Sequence, residues 1–444
     1  MRKLFKFLIF FLTFNTSYSF AQNLNLIRDA EIENFLNEVA KPIINSTKLK
    51  NKKVNFYLDK KKYVNAFVTN GQNIFVTTEL LVKTNTIDEI AGVLAHEIGH
   101  ITGGHLNKIV NASQGSFVTS LLSSILAASA FVAGAPDAGN AILLGGQHIS
   151  SRQFLKFSRD QESYADQAAI KYMKASNYSV KGIYDLFKLL EKKERMSKFN
   201  PYNLTHPLSS ERKKFVEFHI NNEEKIKRPK LDMKFQLIQA KLVGFLSTPE
   251  ITNIVYPEDE NKVFNWYANS IKFYKLGQIT KSIIFIDKCI KFDKENPYFY
   301  ELKGQILYEN SKPNESILNF EKALKFKKKE KHFQLALAKA IYSSGEKKKY
   351  YKSLKLLDSY IESEDFPVEA WHFKALCHGK LGQYTLSSIA LIEKFLLLND
   401  LKNAKLQLEK VILTKNIDKE NIGKIEDLKL IIYEKEKYEK NNNN

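Results

Sequence analysis

The 444-residue sequence predicts a mostly α-helical chain of two parts: an N-terminal domain with a small antiparallel β-sheet, then an α-solenoid of tetratricopeptide repeats. Three observations lead there. His96-Glu97-Ile98-Gly99-His100 sits in a run whose apolar residues Ile90, Val93, Leu94 and Ile98 recur at helical spacing. Short β-branched and aromatic runs precede it, two of them joined by the hairpin signal Thr69-Asn70-Gly71-Gln72. In the C-terminal half, small residues return every 34 positions.

Residues 1–21 place Arg2, Lys3 and Lys6 around an apolar run from Leu4 to Phe14 and end in Ser19-Phe20-Ala21, with small residues where a signal peptidase reads. This predicts a cleavable signal peptide and an exported chain that starts at Gln22, with no Cys there to carry a lipid anchor. Residues 22–222 form the first domain. Asp29 to Ile44 has apolar residues at helical spacing, and Val54 to Leu58, Val64 to Val68 and Ile74 to Val76 read as strands. A sheet beside the motif helix offers an edge on which an extended peptide can add as a further strand, and Asn65 and Ala66 are the expected edge residues. Ser116 to Gly134 is apolar but rich in Ser and Ala. With the Gly134-to-Gly139 turn and the segment to Leu144 it reads as a helical hairpin covering the site, peripheral membrane contact being the alternative.

The motif carries specific chemistry. Residues four apart on a helix lie one above the other, so His96 and His100 can offer ring nitrogens to one Zn²⁺ at roughly 2.0–2.1 Å. Glu97 projects beside the metal, where it can take a proton from metal-held water whose pKa falls towards ~7. The third ligand decides the class. A metzincin needs a His ten residues after the first, but that position is Leu106, and His105 falls one short. A gluzincin needs a Glu on a later helix, and Glu162 in Arg159-Asp160-Gln161-Glu162-Ser163-Tyr164-Ala165-Asp166 supplies it. Asp166, four residues on and so on the same face, is expected to accept the far N–H of a ligand histidine and fix its tautomer, supporting catalysis from outside the ligand set. Without the upstream motif, this face would read as solvated acid paired with Arg159 and Lys171. Spacing assigns no role to His105 or His148.

Residues 223–258 are expected to be a linker helix region and 259–415 the solenoid. Gly277, Ser311 and Gly345 lie 34 apart (311 − 277 and 345 − 311), and Cys289 with Ala323 and Ile290 with Leu324 keep step. Trp371, Ala375 and Gly382 restart the pattern after an insertion of three. Stacked helix pairs of this kind form a concave binding face. Residues 416–444 read as a C-terminal helix with a frayed polar tail from Glu434. Cys289 and Cys377, the only cysteines, sit among apolar helix residues and read as buried small hydrophobes before a bridge, which an oxidising compartment would still allow.

The motif, the Glu162/Asp166 helix, Asn65-Ala66-Phe67 followed by Ile74-Phe75-Val76-Thr77-Thr78, and Thr205-His206-Pro207 with Arg212 resemble the BepA-like periplasmic zinc metallopeptidases. These are gluzincins related to HtpX and the CaaX prenyl endopeptidases. The resemblance covers nearly the whole chain, repeats included. It implies one zinc ion, a Gram-negative periplasmic location, and a histidine, here His206, that can occupy the metal's open position and gate the site. It also implies unfolded or misassembled envelope clients, outer-membrane β-barrels and their assembly machinery among them. Two functions follow: a zinc endopeptidase that cuts stalled clients, or a repeat-based chaperone whose proteolysis is minor or locked off. The formal charge of +19, or +16 without Arg2, Lys3 and Lys6 (19 − 3), is a lysine excess with no nucleic-acid recognition motif beside it. It suits anionic lipid surfaces or acidic client segments, and nucleic acid is not an expected partner.

Overall fold

The computed structural model describes residues 26–69, 71–105, 148–196, 206–220, 227–413 and 419–442. The expected signal peptide and the hairpin expected at Ser116 to Leu144 lie outside them. The chain divides after Ser247 into two units.

The first unit runs β1 (Leu26–Ile27), α1 (Ala30–Asn45), β2 (Asn55–Asp59), β3 (Ala66–Thr69), β4 (Asn73–Thr77), α2 (Thr78–Lys83), α3 (Ile87–Gly103), α4 (His148–Ala175), α5 (Lys181–Met196), α6 (Ser210–Phe218) and α7 (Pro229–Leu246). The sheet order is β1-β2-β4-β3. The expected hairpin of β3 and β4 is antiparallel, and its turn has left-handed backbone at Gly71 and Gln72 (φ 81° and 59°). The sheet as a whole is mixed, a correction to the all-antiparallel expectation, because β2 runs parallel to β4. Sending β3 to the outer edge leaves the other side of β4 to β2. In that register Phe56 pairs with Ile74 and Leu58 with Val76, and all four side chains are buried in one core.

Helix α1 starts where the Asp29 side chain accepts the Ile32 N–H (3.0 Å), and it buries Ile32, Phe35, Leu36, Val39, Ala40 and Ile43 along one stripe. Helix α7 falls in the stretch expected as a linker, yet it belongs to this unit. Phe35 and Phe235 stack with centroids 5.7 Å apart, and Ile238 and Leu242 join the same core. An amphipathic stripe of this size is held by burial, at roughly 1.5–3 kcal/mol per large apolar side chain.

The second unit is a series of helices: α8 (Pro249–Val255), α9 (Val263–Lys275), α10 (Ile279–Phe292), α11 (Pro297–Glu309), α12 (Pro313–Phe326), α13 (Lys331–Ser343), α14 (Tyr350–Ser363), α15 (Val368–Lys380), α16 (Tyr384–Leu397), α17 (Leu401–Ile412) and α18 (Lys419–Asn442). The 34-residue period has a visible basis. Gly277, Ser311, Gly345 and Gly382 end the first helix of four successive pairs in left-handed backbone, with φ of 72°, 58°, 74° and 79°. Ser282, Ser316, Ser353 and Ser387 donate their hydroxyls to the carbonyls of Ser270, Gly304, Ala338 and Ala375 on the partner helix, at 2.8–2.9 Å. The serines are spaced 34, 37 and 34 apart (316 − 282, 353 − 316, 387 − 353), and the extra three residues form the 3-10 turn Lys347–Lys349. Cys289 and Cys377 are buried and unbridged. The tail is helical past Glu434 to Asn442, and Ile425, Leu428 and Ile432 pack on α16 and α17. Among the described residues, no helix is long and apolar enough to cross a membrane.

Candidate metal centre

Three pieces of chain build the site. Helix α3 is fixed at its start by a capping arrangement: Thr86 Oγ1 accepts the Glu89 N–H (3.3 Å), while the Glu89 carboxylate accepts from the Asn85 N–H (3.2 Å). Its buried face carries His96, Glu97 and His100. Helix α4 brings Glu162 and Asp166 against it. Gly99 permits the approach, since a Cβ there would stand 2.9 Å from the Ala165 carbonyl oxygen. The segment before α6 supplies His206, and α6 itself supplies Arg212.

The donor atoms of His96, His100, Glu162 and His206 lie within 4.8 Å of one another, and all four residues are buried. His96 Nε2 is 3.1 Å from His100 Nε2 and 3.3 Å from His206 Nδ1. Glu162 oxygens lie 3.2 Å from His96 Nε2, 3.3 Å from His100 Nε2 and 3.0 Å from His206 Nδ1. A tetrahedron of ligands about 2.0 Å from its centre has edges of about 3.3 Å, so with Glu162 Oε1 as the carboxylate donor four of the six donor pairs already have the spacing a four-coordinate cation requires, and His96 meets the other oxygen, Oε2. Three imidazoles and a carboxylate converging at this spacing fit a metal.

Around the donors lies a charged frame. Asp166 Oδ1 is 3.0 Å from His96 Nδ1, where it can accept that ring's far N–H. Arg212 grips Asp166 with two bonds, Nε to Oδ2 at 2.6 Å and Nη2 to Oδ1 at 2.8 Å. Its Nη1 reaches Glu162 Oε2 and the Pro207 carbonyl, each at 2.9 Å. One guanidinium thus ties the ligand helix to the segment bearing His206. In the metal-free protein, burial acts to lower His96, but the Glu162 charge and the bonds to Asp166 and Glu162 raise it to about 10. Burial pushes His100 down to about 3, with Glu162 opposing. Glu162 stays well below its ordinary value because His206 and His96 outweigh its burial, and Asp166 is held down against burial by Arg212. Glu97 goes the other way: burial raises it. Both of its oxygens are buried without a hydrogen-bond partner among the described residues, and Oε1 lies 3.5 Å from His206 Nε2.

Of the residues singled out from sequence, His96, Glu97, His100, Glu162, Asp166 and His206 are gathered here. Asn65 and Ala66 are at the sheet's outer strand, which packs on α3. Thr77 binds the backbone N–H and carbonyl of Asn65 (2.9 and 3.0 Å), so by strand alternation the backbone groups of Ala66 face the open edge. The side chain of His148 lies outside the described residues. Two residues had more to do than their spacing showed. Arg212 entered only within a resemblance, and nothing in the sequence pairs it with Asp166. His105 is buried with its Nδ1 2.8 Å from His100 Nδ1. The signal for it was local: Gly103-Gly104 ends α3 and lets the next residue fold back.

Residues 27–218 match the model of peptidase family M48. The chain is similar to the beta-barrel assembly-enhancing proteases of Yersinia pestis (29% identical over 191 residues, 42% of this chain and 38% of the relative) and Escherichia coli K12 (28% over 191 residues, with the same shares). It is 23% identical over 290 residues to the putative beta-barrel assembly-enhancing protease of Vibrio cholerae, 63% of this chain and 57% of that one. The similarity thus spans 38% of the length of the first two relatives. The span matched to the family contains His96, Glu97, His100, Glu162, Asp166, His206 and Arg212, so the gathered donors all fall in the part of the first unit that is similar to peptidase family M48.

Proposed function

We propose that this chain is a zinc-dependent endopeptidase of the Gram-negative periplasm acting in outer-membrane protein quality control. It cuts unfolded or misassembled envelope proteins, outer-membrane β-barrels first among them, that its tetratricopeptide solenoid recognises. The observation that carries the reading is Glu97: a buried carboxylate with neither oxygen hydrogen-bonded among the described residues, beside a donor set spaced for one cation. Borderline-soft imidazoles with one carboxylate in tetrahedral spacing suit zinc. The relatives' names support the β-barrel connection, and the signal-peptide pattern supports export.

His96, His100 and Glu162 hold the zinc, which when bound polarises the scissile carbonyl and lowers the pKa of water. Glu97 takes the proton from the attacking water and returns it to the departing amine, so no covalent enzyme intermediate forms. Asp166 holds His96 in the tautomer that presents Nε2, and Arg212 holds Asp166. The open edge at Asn65 and Ala66 receives the substrate as an added strand. His206 fills the fourth donor position at rest and is the gate. The same contact favours a second reading, a periplasmic chaperone or assembly factor for outer-membrane proteins in which His206 keeps proteolysis off.

Zinc-loaded protein incubated with unfolded β-casein, with and without chelator, tests this. Cleavage that chelation and Glu97→Gln abolish and His206→Arg enhances supports the gated endopeptidase. No cleavage by any variant despite bound zinc supports the second reading.

A further inference from the structure

The two ligand histidines of α3 are held differently. His96 turns its Nδ1 to a carboxylate, whereas His100 turns its Nδ1 to another imidazole, that of His105, at 2.8 Å. We propose that His105 is a positioning residue for the metal: as a neutral acceptor it takes the His100 Nδ1 proton and so directs the His100 Nε2 lone pair into the donor cluster. The inference rests on the zinc reading above.

The chemistry leaves one assignment. His100 Nε2 lies 3.1 Å from His96 Nε2 and 3.3 Å from Glu162, so it is the nitrogen facing the cluster, and its proton must sit on Nδ1. Two imidazole nitrogens 2.8 Å apart need one proton between them, so His105 Nδ1 accepts and its own proton is on Nε2. A neutral acceptor adds no further carboxylate to Glu162 and Asp166, in a pocket where each buried anion needs a cation.

The chain is shaped for this contact. Gly104 ends α3 in left-handed backbone (φ 65°), which folds residue 105 back over the last turn. The His105 ring then lies across Gly103, whose missing Cβ would stand 2.8 Å from ring carbon Cδ2 and 2.9 Å from Cε1. The ring edge meets Tyr164 on α4 (centroids 5.3 Å, 70°), two residues from Glu162, and His105 is 3% exposed. Two adjacent glycines, one for the turn and one for the ring, deliver this imidazole to one atom.

The test uses the full chain, stripped of metal, and measures zinc affinity by competition with a chromophoric chelator alongside the melting temperature of the metal-free protein. Wild type binding one zinc establishes the parent reading, and its failure to bind would remove that reading. Given wild-type binding, His105→Ala should lose roughly 10- to 100-fold in affinity, as loss of an outer partner of a metal ligand does. His105→Asn, whose Oδ1 can accept in place of Nδ1, should recover most of it. Gly103→Ala, which keeps the imidazole but displaces it, should behave like His105→Ala. Affinity unchanged in His105→Ala overturns the inference. So does an equal loss in His105→Ala and His105→Asn together with a lower metal-free melting temperature, because that is the mark of packing alone.

Discussion

Gly99→Ala probes how closely the two ligand helices must approach. A Cβ at residue 99 would stand 2.9 Å from the Ala165 oxygen and 3.1 Å from Ala165 Cα, whereas ordinary contact begins at 3.4 Å. The helices must therefore separate by about 0.5 Å (3.4 − 2.9). Glu162 lies one turn before Ala165 on α4 and moves with it. Metal–ligand distances tolerate only about ±0.2 Å, so the carboxylate can no longer share one cation with His96 and His100. Overpacking costs about 1–3 kcal/mol, and replacing a helical Gly by Ala returns up to about 1 kcal/mol. Urea unfolding of the metal-free variant should show a net loss of about 0–2 kcal/mol. Zinc competition should show an affinity at least about tenfold weaker, a larger effect than the small stability change would suggest. Unaltered zinc affinity with unaltered stability would refute the argument that glycine sets the donor spacing.

Arg212→Leu leaves Asp166 and Glu162 buried without their guanidinium, and denaturant unfolding should show a loss of about 3–5 kcal/mol; a loss under about 1 kcal/mol would mean the ion pairs contribute little. Ser311 has a side chain where the other three pairs have glycine at φ near 75°, so Ser311→Gly should raise the melting temperature through a gain of about 0.5 kcal/mol, and a lower value would count against strain at that turn. Tyr178, whose hydroxyl donates to the Val39 carbonyl, has its pKa pushed up by burial to about 12 from 10.0. Its folded-state pKa is raised, so its contribution to stability is complete below pH 10 and is lost as pH rises towards 12. Tyr178→Phe should flatten the alkaline loss of stability, and an unchanged pH profile would contradict this.

The parts of the fold that follow from local periodicity were legible in the sequence. His96, Glu97 and His100 share one helix, and Glu162 with Asp166 share another, so an i, i+4 spacing carries their geometry. The left-handed turns at Gly277, Gly345 and Gly382 show in the residue type, and Ser311 shows only through the period. Features decided by distant pairings did not show. The parallel pairing of β2 with β4 depends on which side of β4 the hairpin leaves open, and no residue pattern within either strand records it. Helix α7 is apolar enough to read as a helix, but nothing within it records which core it joins, and it is Phe35 across the core that gives Phe235 its place. Arg212 reads as one of many basic surface residues until the fold brings Asp166 within 2.6 Å. The three-residue insertion was visible as a count, but only the structure places it in a 3-10 turn.

The most direct test is a crystal structure of the zinc-loaded full chain with anomalous data at the zinc edge. The account predicts one strong peak per chain, roughly 2.0–2.1 Å from His96 Nε2, His100 Nε2, a Glu162 oxygen and the ring of His206. A peak elsewhere, or zinc held without Glu162, would contradict it.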